Sequence, residues 1–444
     1  MLKESISGVR GIVGEGLTPE VIIRYCTAFA TFLPQGAIIV ARDSRPSGAA
    51  ISDLLCSSLR LAGRDVIAIG IQSTPTAEII TAISEAAGGI IITASHNPIE
   101  WNALKFLKSD GTFLNALEIE KLLELKNDMT ERNFGWALHD KIGNLSFLEF
   151  AEENHVDAIL KLEWLDIEAI RKARFKVVLD SNGGTGSIAL MPLLEKLGCE
   201  VIPLGCTPNG NFKHNPEPRQ ENLAELCELV GANHADIGLA TDPDADRLAL
   251  VNENGIAIGE EYTLAIGAAE ASEFLDGPIV VNLSTSAMVE SLGKQVIRTP
   301  VGEINVTSKM LEIGAQVGGE GNGGLIIPSC HPGRDGILAT AVILNRMART
   351  GKKLSELTSE FPKLTMIKEK SSLSLDYAAV EIRLKEGFEN PSTDTSDGVR
   401  IITPEGWLHV RASNTEPIMR FIAESENEEK ARNLIEKAKK LLVQ

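Results

Sequence analysis

The sequence lacks the features of an exported, disulfide-bonded or membrane-spanning protein. Its 444 residues include six cysteines, and no two of them form a CxxC pair, so neither a zinc site nor a disulfide framework is indicated. No apolar run reaches the ~18 residues of a membrane-spanning helix, and the first residues, MLKESISGVRG, contain no apolar signal core. We therefore expect a cytoplasmic protein with no membrane partner.

An excess of positive charge is also missing. The formal net charge is −18 at pH 7, which argues against nucleic acid as a general partner, so an anionic substrate would need a locally basic cleft. With 43% hydrophobic and 23% charged residues, the composition gives no reason to predict disorder. The chain is too long for one hydrophobic core, and two to four domains are expected.

Short apolar runs alternate with helical periods in three successive stretches, which indicates α/β units with largely parallel sheets. The tail instead predicts a small α+β domain, and the stretch 359–372 is predicted to be a linker. The runs lie at 36–43, 65–71, 88–94, 175–180, 199–205, 236–241 and 277–283, with a less clear repeat over 294–319, and the tail has strands at 399–403 and 407–411 and a helix at 427–443.

A polar loop follows the last apolar run of each α/β unit. The three loops are SHNP at 95–98, DPDADR at 242–247 and GGEGNGG at 318–324. Ligands of α/β sheets bind beyond the carboxyl ends of the strands, so these loops could face one cleft.

The second loop places Asp242, Asp244 and Asp246 at alternate positions. Three carboxylates this close together are costly unless a cation neutralises them, and oxygen ligands suit Mg²⁺, Mn²⁺ or Ca²⁺. Arg247 stands where an EF-hand loop requires glycine, which excludes that motif. A solvated acidic turn is the alternative interpretation.

Taken singly, the other loops leave alternatives open. Ser95 lies on a tight loop closed by Pro98 and could carry a phosphoryl group near a metal, or only cap a turn; it has no GxSxG setting. His96 is as consistent with a turn role as with a base. The stretch 318–324 lacks both GK[ST] and GxGxxG, so Glu320 either accepts bonds from sugar hydroxyls or belongs to a flexible turn.

A fourth polar loop lies in the tail. Arg411, Ser413, Asn414 and Thr415 gather the donors that hold a phosphate, although a polar turn explains them equally well.

In this order the four loops, TASHNP, DPDADR, GGEGNGG and RASNTEP, resemble the α-D-phosphohexomutase family over nearly the whole chain. This family comprises phosphoglucomutases, phosphomannomutases and phosphoglucosamine mutases. The resemblance implies an α/β fold of four domains around a central cleft: three similar α/β domains with mixed sheets and a small C-terminal α+β domain. The expected domains are 1–150 with the phosphoserine loop, 151–255 with the metal loop, 256–365 with the sugar loop and 366–444 with the phosphate loop.

The resemblance also implies an isomerase that interconverts hexose 1-phosphate and hexose 6-phosphate through a phosphoserine and a hexose 1,6-bisphosphate. The Mg²⁺ ligands would be phosphorylated Ser95 with Asp242, Asp244 and Asp246. The catalytic residues would be Ser95, Lys105, Arg10, His96 and His331. The substrate-binding residues would be Glu320, Asn322, Gly323, Arg334, Arg411, Ser413, Asn414, Thr415 and Arg247.

The sugar loop departs from the family pattern. Asn322 and Gly324 stand where many members have serine and histidine, and His331, seven residues after Gly324, either replaces that histidine or is a turn residue. The GGEGNGG and GRDG variants resemble a branch that favours phosphoglucosamine mutase, with phosphomannomutase or phosphoglucomutase as the alternative. A metal-dependent sugar phosphatase and a non-catalytic sugar-phosphate sensor are more remote rivals, and the protein is expected to be a monomer or a homodimer.

Overall fold

Four β-sheets with their surrounding helices make up the computed structural model. It describes residues 2–6, 8–129, 135–371, 377–389, 391–412 and 418–443. Three sheets are mixed and the last is antiparallel, which confirms the predicted fold class. Within these ranges, no helix has the length and apolar character needed to cross a bilayer.

The first sheet has seven strands. Its strands are β1 (Leu2–Ser5), β2 (Gly8–Ile12), β3 (Ile38–Arg42), β4 (Val66–Ile71), β5 (Gly88–Ile92), β6 (Trp101–Lys108) and β7 (Leu145–Phe147). Its helices are α1 (Pro19–Phe32), α2 (Ser47–Leu61), α3 (Thr74–Ile83) and α4 (Ala116–Asp128). The order across the sheet is β1-β2-β6-β5-β3-β4-β7.

The second sheet has four strands in the order β11-β10-β8-β9. These strands are β8 (Lys176–Asp180), β9 (Glu200–Leu204), β10 (Ile237–Thr241) and β11 (Leu248–Asn252). The helices of this part are α5 (Ala151–Leu160), α6 (Ile167–Ala173), α7 (Gly186–Lys196) and α8 (Ala224–Asn233), with a 3₁₀ turn at Gln220–Asn222.

The third sheet also has four strands, in the order β13-β12-β14-β15. These strands are β12 (Ile279–Asn282), β13 (Val296–Thr299), β14 (Val317–Glu320) and β15 (Gly324–Ile326). The helices here are α9 (Glu261–Ala271), α10 (Glu303–Ile313), α11 (Gly336–Thr350) and α12 (Leu354–Thr358), with a 3₁₀ helix at Ala287–Leu292.

The antiparallel sheet near the C-terminus has the order β16-β20-β19-β18-β17. Its strands are β16 (Thr365–Ser371), β17 (Ser392–Asp394), β18 (Val399–Thr403), β19 (Gly406–Ala412) and β20 (Met419–Ser425). The helices α13 (Tyr377–Gly387) and α14 (Glu428–Val443) belong to this part, and apolar residues of both pack into its core.

One strand order recurs in the first three sheets. The sets β6-β5-β3-β4, β11-β10-β8-β9 and β15-β14-β12-β13 each place three parallel strands beside one antiparallel strand. In each set the antiparallel strand follows its neighbour directly in sequence, so a short loop joins them. The three polar loops found in the sequence are these equivalent connections.

The second and third sheets share one hydrophobic core. Leu190 and Leu239 from the second part pack in the same buried cluster as Ile266, Ile279 and Leu344 from the third. Helix α11 supplies much of this core because it is buried along nearly its whole length. These two parts therefore hold their loops in a fixed relation.

The predicted linker at 359–372 is wrong in part. Residues Thr365–Ser371 form β16, which pairs with β20 along its full length. The sequence TMIKEKS is charged because β16 lies at the edge of its sheet, where lysine and glutamate discourage further pairing. Strand-like residues on an exposed edge resemble a polar linker in sequence.

Candidate active site

Ser95 lies in the loop between β5 and β6 and is buried. Its φ is +48°, a left-handed conformation that is uncommon for residues other than glycine and that often marks functional loops. Its Oγ donates a hydrogen bond of 2.7 Å to Asp242 Oδ2 and lies 3.2 Å from His96 Nδ1. The serine hydroxyl of the first sheet is thus fixed against the acidic loop of the second.

The side chain of Arg45 stabilises the loop between β5 and β6 that carries Ser95 (the serine loop). This fully buried residue precedes α2, and its Nε donates to Asp43 Oδ2 at 3.0 Å. Asp43 also accepts from Thr93 Oγ1, one residue before the loop turns. The guanidinium donates to three backbone carbonyls of the loop, those of Ser95, Asn97 and Pro98, and to the carbonyl of Trp101, the first residue of β6.

Asp242, Asp244 and Asp246 lie between β10 and β11, and all three are fully buried. One oxygen from each lies within 4.8 Å of the others, which suits a shared cation. Asp244 Oδ1 and Asp246 Oδ1 have no hydrogen-bond partner among the described residues. Because buried carboxylate oxygens need a partner, and these converge as a hard-oxygen set, the cluster fits a divalent cation such as Mg²⁺.

The pKa values of Asp242 and Asp244 are shifted in opposite directions. Burial, together with the neighbouring Asp246 and Asp244, raises the pKa of Asp242 well above its ordinary value. Burial alone would also raise the pKa of Asp244, but the nearby Lys105 outweighs it and lowers that pKa. The loop therefore contains one carboxyl group with a raised pKa, Asp242, and one with a lowered pKa, Asp244.

Lys105, on β6, joins the first sheet to the same acidic loop. Its ammonium lies 2.7 Å from Asp244 Oδ2, which also accepts from the hydroxyl of Thr74 at 2.8 Å. Burial would lower the pKa of Lys105, but Asp244 and Asp246 raise it, so the side chain stays charged. A buried cation thus lies beside the loop that faces Ser95.

The sugar loop lies between β14 and β15 and brings Glu320 into the buried site. Its carboxylate accepts from Asn282 Nδ2 at 2.7 Å and from the backbone N–H of Gly302 at 3.0 Å. Arg334 donates to the other oxygen at 2.7 Å, and Asn322 Nδ2 reaches it at 3.4 Å. The orientation of Glu320 is therefore fixed from several sides.

Gly323 allows this loop to pass close to the second sheet. Its φ is +91°, and a Cβ at this position would lie 2.4 Å from the carbonyl oxygen of Leu248. The close approach lets the N–H of Leu248 donate to the Gly323 carbonyl at 3.0 Å. The sugar loop is thus attached to the strand that follows the metal loop.

Arg10, Arg247 and Arg334 lie near His96 and add cationic groups to the site beside Lys105. The backbone N–H of Arg247 donates to Asp242 Oδ1 at 3.3 Å, and Arg10 Nη1 donates to Asn97 Oδ1 at 3.1 Å. Burial first, and then Arg247, Arg10 and Arg334, hold the pKa of His96 well below its usual range, so this imidazole is neutral. Cationic side chains therefore lie beside the acidic loop despite the negative net charge of the chain.

His331 does not lie in the sugar loop but in a buried contact between parts of the chain. Its Nδ1 is 3.2 Å from Glu78 Oε2 on α3, and its Nε2 is 3.0 Å from Asp335 Oδ2. His155 on α5 contacts the same oxygen at 2.7 Å. Burial would lower the pKa of His331, but Asp335 and Glu78 raise it to about 10.

Arg411 lies on β19 and pairs with Asp397 at 3.3 Å. Asp397 Oδ2 in turn accepts from the N–H of Val301 at 2.9 Å, next to Gly302 in sequence. The C-terminal sheet is thus linked to the backbone that holds Glu320. The predicted phosphate-binding residues Ser413, Asn414 and Thr415 lie outside the described residues.

Several residues of the site were missed in the sequence. Asp43, Arg45, Thr74 and Glu303 were given no role, although the first two belong to a polar stretch, DSRP, directly after β3. That stretch follows a buried strand as the three recognised loops do, and this position was the available signal. Glu303, the first residue of α10, carried no such signal.

Comparison with known proteins identifies relatives over nearly the whole chain. Sequence models of phosphoglucomutase/phosphomannomutase match in chain order: alpha/beta/alpha domain I at 2–133, domain II at 153–255, domain III at 256–364 and the C-terminal domain at 366–441. A phosphoglucomutase/phosphomannomutase of Thermococcus kodakarensis is 40% identical over 98% of this chain and 97% of its own.

A second relative and a solved structure agree with these matches. A probable phosphoglucosamine mutase of Methanopyrus kandleri is 36% identical over 96% of this chain and 95% of its own. The crystal structure of a putative phosphomannomutase from Thermus thermophilus has a TM-score of 0.85 at 27% identity, covering 100% of this chain and 99% of that one. The family resemblance seen in the sequence is confirmed.

Proposed function

Because the chain belongs to the phosphoglucomutase/phosphomannomutase family and is therefore a mutase, an isomerase of sugar phosphates, we propose that Ser95 carries the transferred phosphoryl group. The observation that carries this proposal is the hydrogen bond from Ser95 Oγ to Asp242. It places the hydroxyl of Ser95, the only serine with a positive φ among the described residues, against the acidic cluster.

The proposed reaction has two balanced steps. In the first, a free hydroxyl oxygen of a hexose monophosphate attacks the phosphorus of phosphorylated Ser95. The new P–O bond forms as the bond between phosphorus and Ser95 Oγ breaks, and a base takes the hydroxyl proton. A hexose 1,6-bisphosphate results. In the second, Ser95 Oγ attacks the other phosphate of this bisphosphate, which restores the phosphoserine and releases the isomeric monophosphate with its proton returned.

Side chains of the site would support this transfer. Asp242, Asp244, Asp246 and phosphorylated Ser95 would hold Mg²⁺, which when bound would neutralise charge on the phosphoryl group. Lys105 would balance the charge that develops as the hydroxyl loses its proton. The remaining proposed catalytic groups are Arg10, His96 and His331.

Substrate contacts are proposed at both ends of the sugar phosphate. The neutral sugar hydroxyls suit a carboxylate acceptor, and the phosphate suits guanidinium and backbone donors. These contacts would come from Glu320, Asn322, Gly323, Arg334, Arg411, Ser413, Asn414, Thr415 and Arg247. We further propose a cytoplasmic location and the domain limits 1–150, 151–255, 256–365 and 366–444.

Among hexoses, we propose glucosamine phosphate as the preferred substrate. The relative from M. kandleri and the GGEGNGG and GRDG variants support it. The relative from T. kodakarensis, at 40% identity, instead favours glucose or mannose phosphate as the second candidate.

The test is ³¹P NMR with Mg²⁺ and a trace of hexose 1,6-bisphosphate, offering the 1-phosphates of glucosamine, glucose and mannose separately. Appearance of 6-phosphates supports the proposal, and the fastest sugar identifies the preferred substrate. Inorganic phosphate as the sole product would instead identify a phosphatase, and no change in any tube would contradict both.

A further inference from the structure

Arg334 fills the space that any side chain at position 324 would require. A Cβ added to Gly324 would lie 2.3 Å from Cδ and 2.8 Å from Cγ of Arg334. Gly324 does not have a positive φ, so its backbone conformation would accept other residues. The glycine is therefore needed for room, and the atoms that need the room belong to Arg334.

The guanidinium of Arg334 lies between the metal loop and the sugar loop. Its Nη2 donates to Asp246 Oδ2, and its Nη1 donates to Glu320 Oε2 at 2.7 Å. Its Nε lies 3.3 Å from Glu303 Oε2, and its backbone N–H donates to Glu303 Oε1 at 2.7 Å. Asp246, Glu320 and Glu303 are all buried.

This geometry requires an arginine. Two different carboxylates are contacted by two different nitrogens of one planar group, a geometry that a single ammonium cannot reproduce. The chain between Gly324 and Arg334 turns back through the bridge between Ile327 and His331, and this turn returns Arg334 to the start of β15. The side chain thus reaches the site from outside the sugar loop itself.

Resting on the proposed function, we propose that Arg334 positions Glu320 for the sugar hydroxyls and offsets the charge of Asp246, and that Gly324 is glycine to admit it. Arg334, rather than His331, then occupies the place beside the sugar loop where family members carry a histidine. A permanently charged guanidinium acts there through charge and orientation and exchanges no proton during turnover.

The first test is Arg334→Met, with Arg334→Lys beside it. Loss of the group that orients Glu320 should raise KM for the hexose phosphate roughly 10- to 100-fold. Loss of the charge opposing cation binding at Asp246 should make Mg²⁺ bind more tightly, as measured by calorimetry without sugar. Arg334→Lys, which keeps the charge, should bind Mg²⁺ with the affinity of the wild type, but its KM should stay raised. Weaker binding of both ligands would indicate a damaged fold and overturn the proposal.

The second test is Gly324→Ala, which should reproduce the signature of Arg334→Met. The double variant should be no worse than Arg334→Met alone, to within about twofold, because both changes remove one contact. Gly231→Ala is the matched control, since a Cβ there meets nothing within 4 Å and Gly231 has no positive φ. Additive losses, or an unaffected Gly324→Ala, would overturn the assignment of Gly324.

The wild-type protein separates this proposal from the proposed function. If the wild type isomerises no hexose phosphate, the proposed function fails before any variant is compared. If it does, and Arg334→Met keeps its KM and its Mg²⁺ affinity, the proposed function stands and the role of Arg334 is overturned.

Discussion

The hydroxyl of Ser95 donates a hydrogen bond of 2.7 Å to Asp242, 147 residues later in the sequence. The two residues belong to different sheets, and each lies in the loop that joins the equivalent pair of strands in its own sheet. Their contact brings a nucleophilic oxygen to a cluster of carboxylates suited to a cation. The role of each residue can therefore be tested by replacing it and measuring turnover and Mg²⁺ affinity.

Replacing Ser95 should separate chemistry from folding. Ser95→Ala should abolish turnover in the ³¹P assay, because the phosphoryl group has no acceptor on the enzyme, while the melting temperature changes little. Ser44→Ala is the control, since Ser44 is a buried serine near the same loop and its hydroxyl has no hydrogen-bond partner in the part of the chain that the structure describes. Full activity of Ser95→Ala, or a phosphate mapped by mass spectrometry to another residue, would contradict the mechanism.

Lys105 should matter for the rate far more than another lysine of the same strand. Lys105→Met removes the cation that pairs with Asp244, and kcat should fall by about 10²-fold or more. Lys108→Met on β6 is the control, because Lys108 is partly exposed and pairs only loosely with Asp110. Equal losses in steady-state assays of the two variants would show that Lys105 has no special role.

Affinity for Mg²⁺ should increase with pH. Asp242 binds its proton more tightly than an ordinary aspartate because it is buried beside two other carboxyl groups, and the cation requires the ionised form. Binding should therefore release a proton and strengthen as the solution moves from acid to alkaline pH. Calorimetry in two buffers of different ionisation enthalpy measures the released proton.

The control for this titration is Asp242→Asn, which should bind Mg²⁺ more weakly and lose most of the pH dependence. If the wild-type affinity does not change with pH, the cation does not displace a proton from Asp242 when it binds.

Arg45 should be essential for stability. Arg45→Met removes one partner of a fully buried pair and leaves the charge of Asp43 uncompensated, which should cost about 3–5 kcal/mol of unfolding free energy. Three carbonyls of the serine loop and that of Trp101 also lose their donor, so activity should fall with stability. Arg171→Met, which breaks an exposed pair with Glu168, should change stability by less than about 1 kcal/mol.

Denaturant unfolding of both variants measures the difference. If Arg45→Met and Arg171→Met unfold at the same denaturant concentration, the serine loop does not depend on Arg45.

His331 should stabilise the fold in a pH-dependent way. Its pKa is raised to about 10 by Asp335 and Glu78, so the contribution is fully present below ~6.5, the ordinary histidine value. It is lost as the pH rises through about 10. The difference in melting temperature between the wild type and His331→Gln should therefore be largest at pH 6 and shrink toward pH 10.

His139→Gln, at an exposed position, is the control and should show no such trend. A difference that grows with pH would mean that His331 is not held as a cation. Turnover of His331→Gln decides separately whether this histidine also acts in catalysis.

Sequence patterns were sufficient to predict the loops of the site but not the side chains that support these loops. Apolar runs that alternate with helices place the ends of their strands at one edge of a sheet, so Ser95, Asp242 and Glu320 could be expected in one cleft. In the structure Ser95 donates to Asp242, and Arg334 donates to both Asp246 and Glu320. That expectation needed only the period of the pattern and the order of the motifs.

The supporting residues depend on contacts that no local pattern encodes. Arg45 bonds to carbonyls some fifty residues later, and His331 meets Glu78 across two parts of the chain. Arg334 was expected at the substrate, but its steric relation to Gly324 depends on how the chain returns after β15. Such positions are set by tertiary packing, which local propensity does not determine.

The repeated strand order gives the three loops equivalent positions. Each loop begins and ends on two neighbouring antiparallel strands, so the sheet fixes its two anchor points. Transplanting the sugar loop of a relative into residues 321–323, with the matching residue at position 334, should alter sugar preference without disturbing the sheet. That outcome would show that the sheet and the sugar preference of this chain can be changed separately.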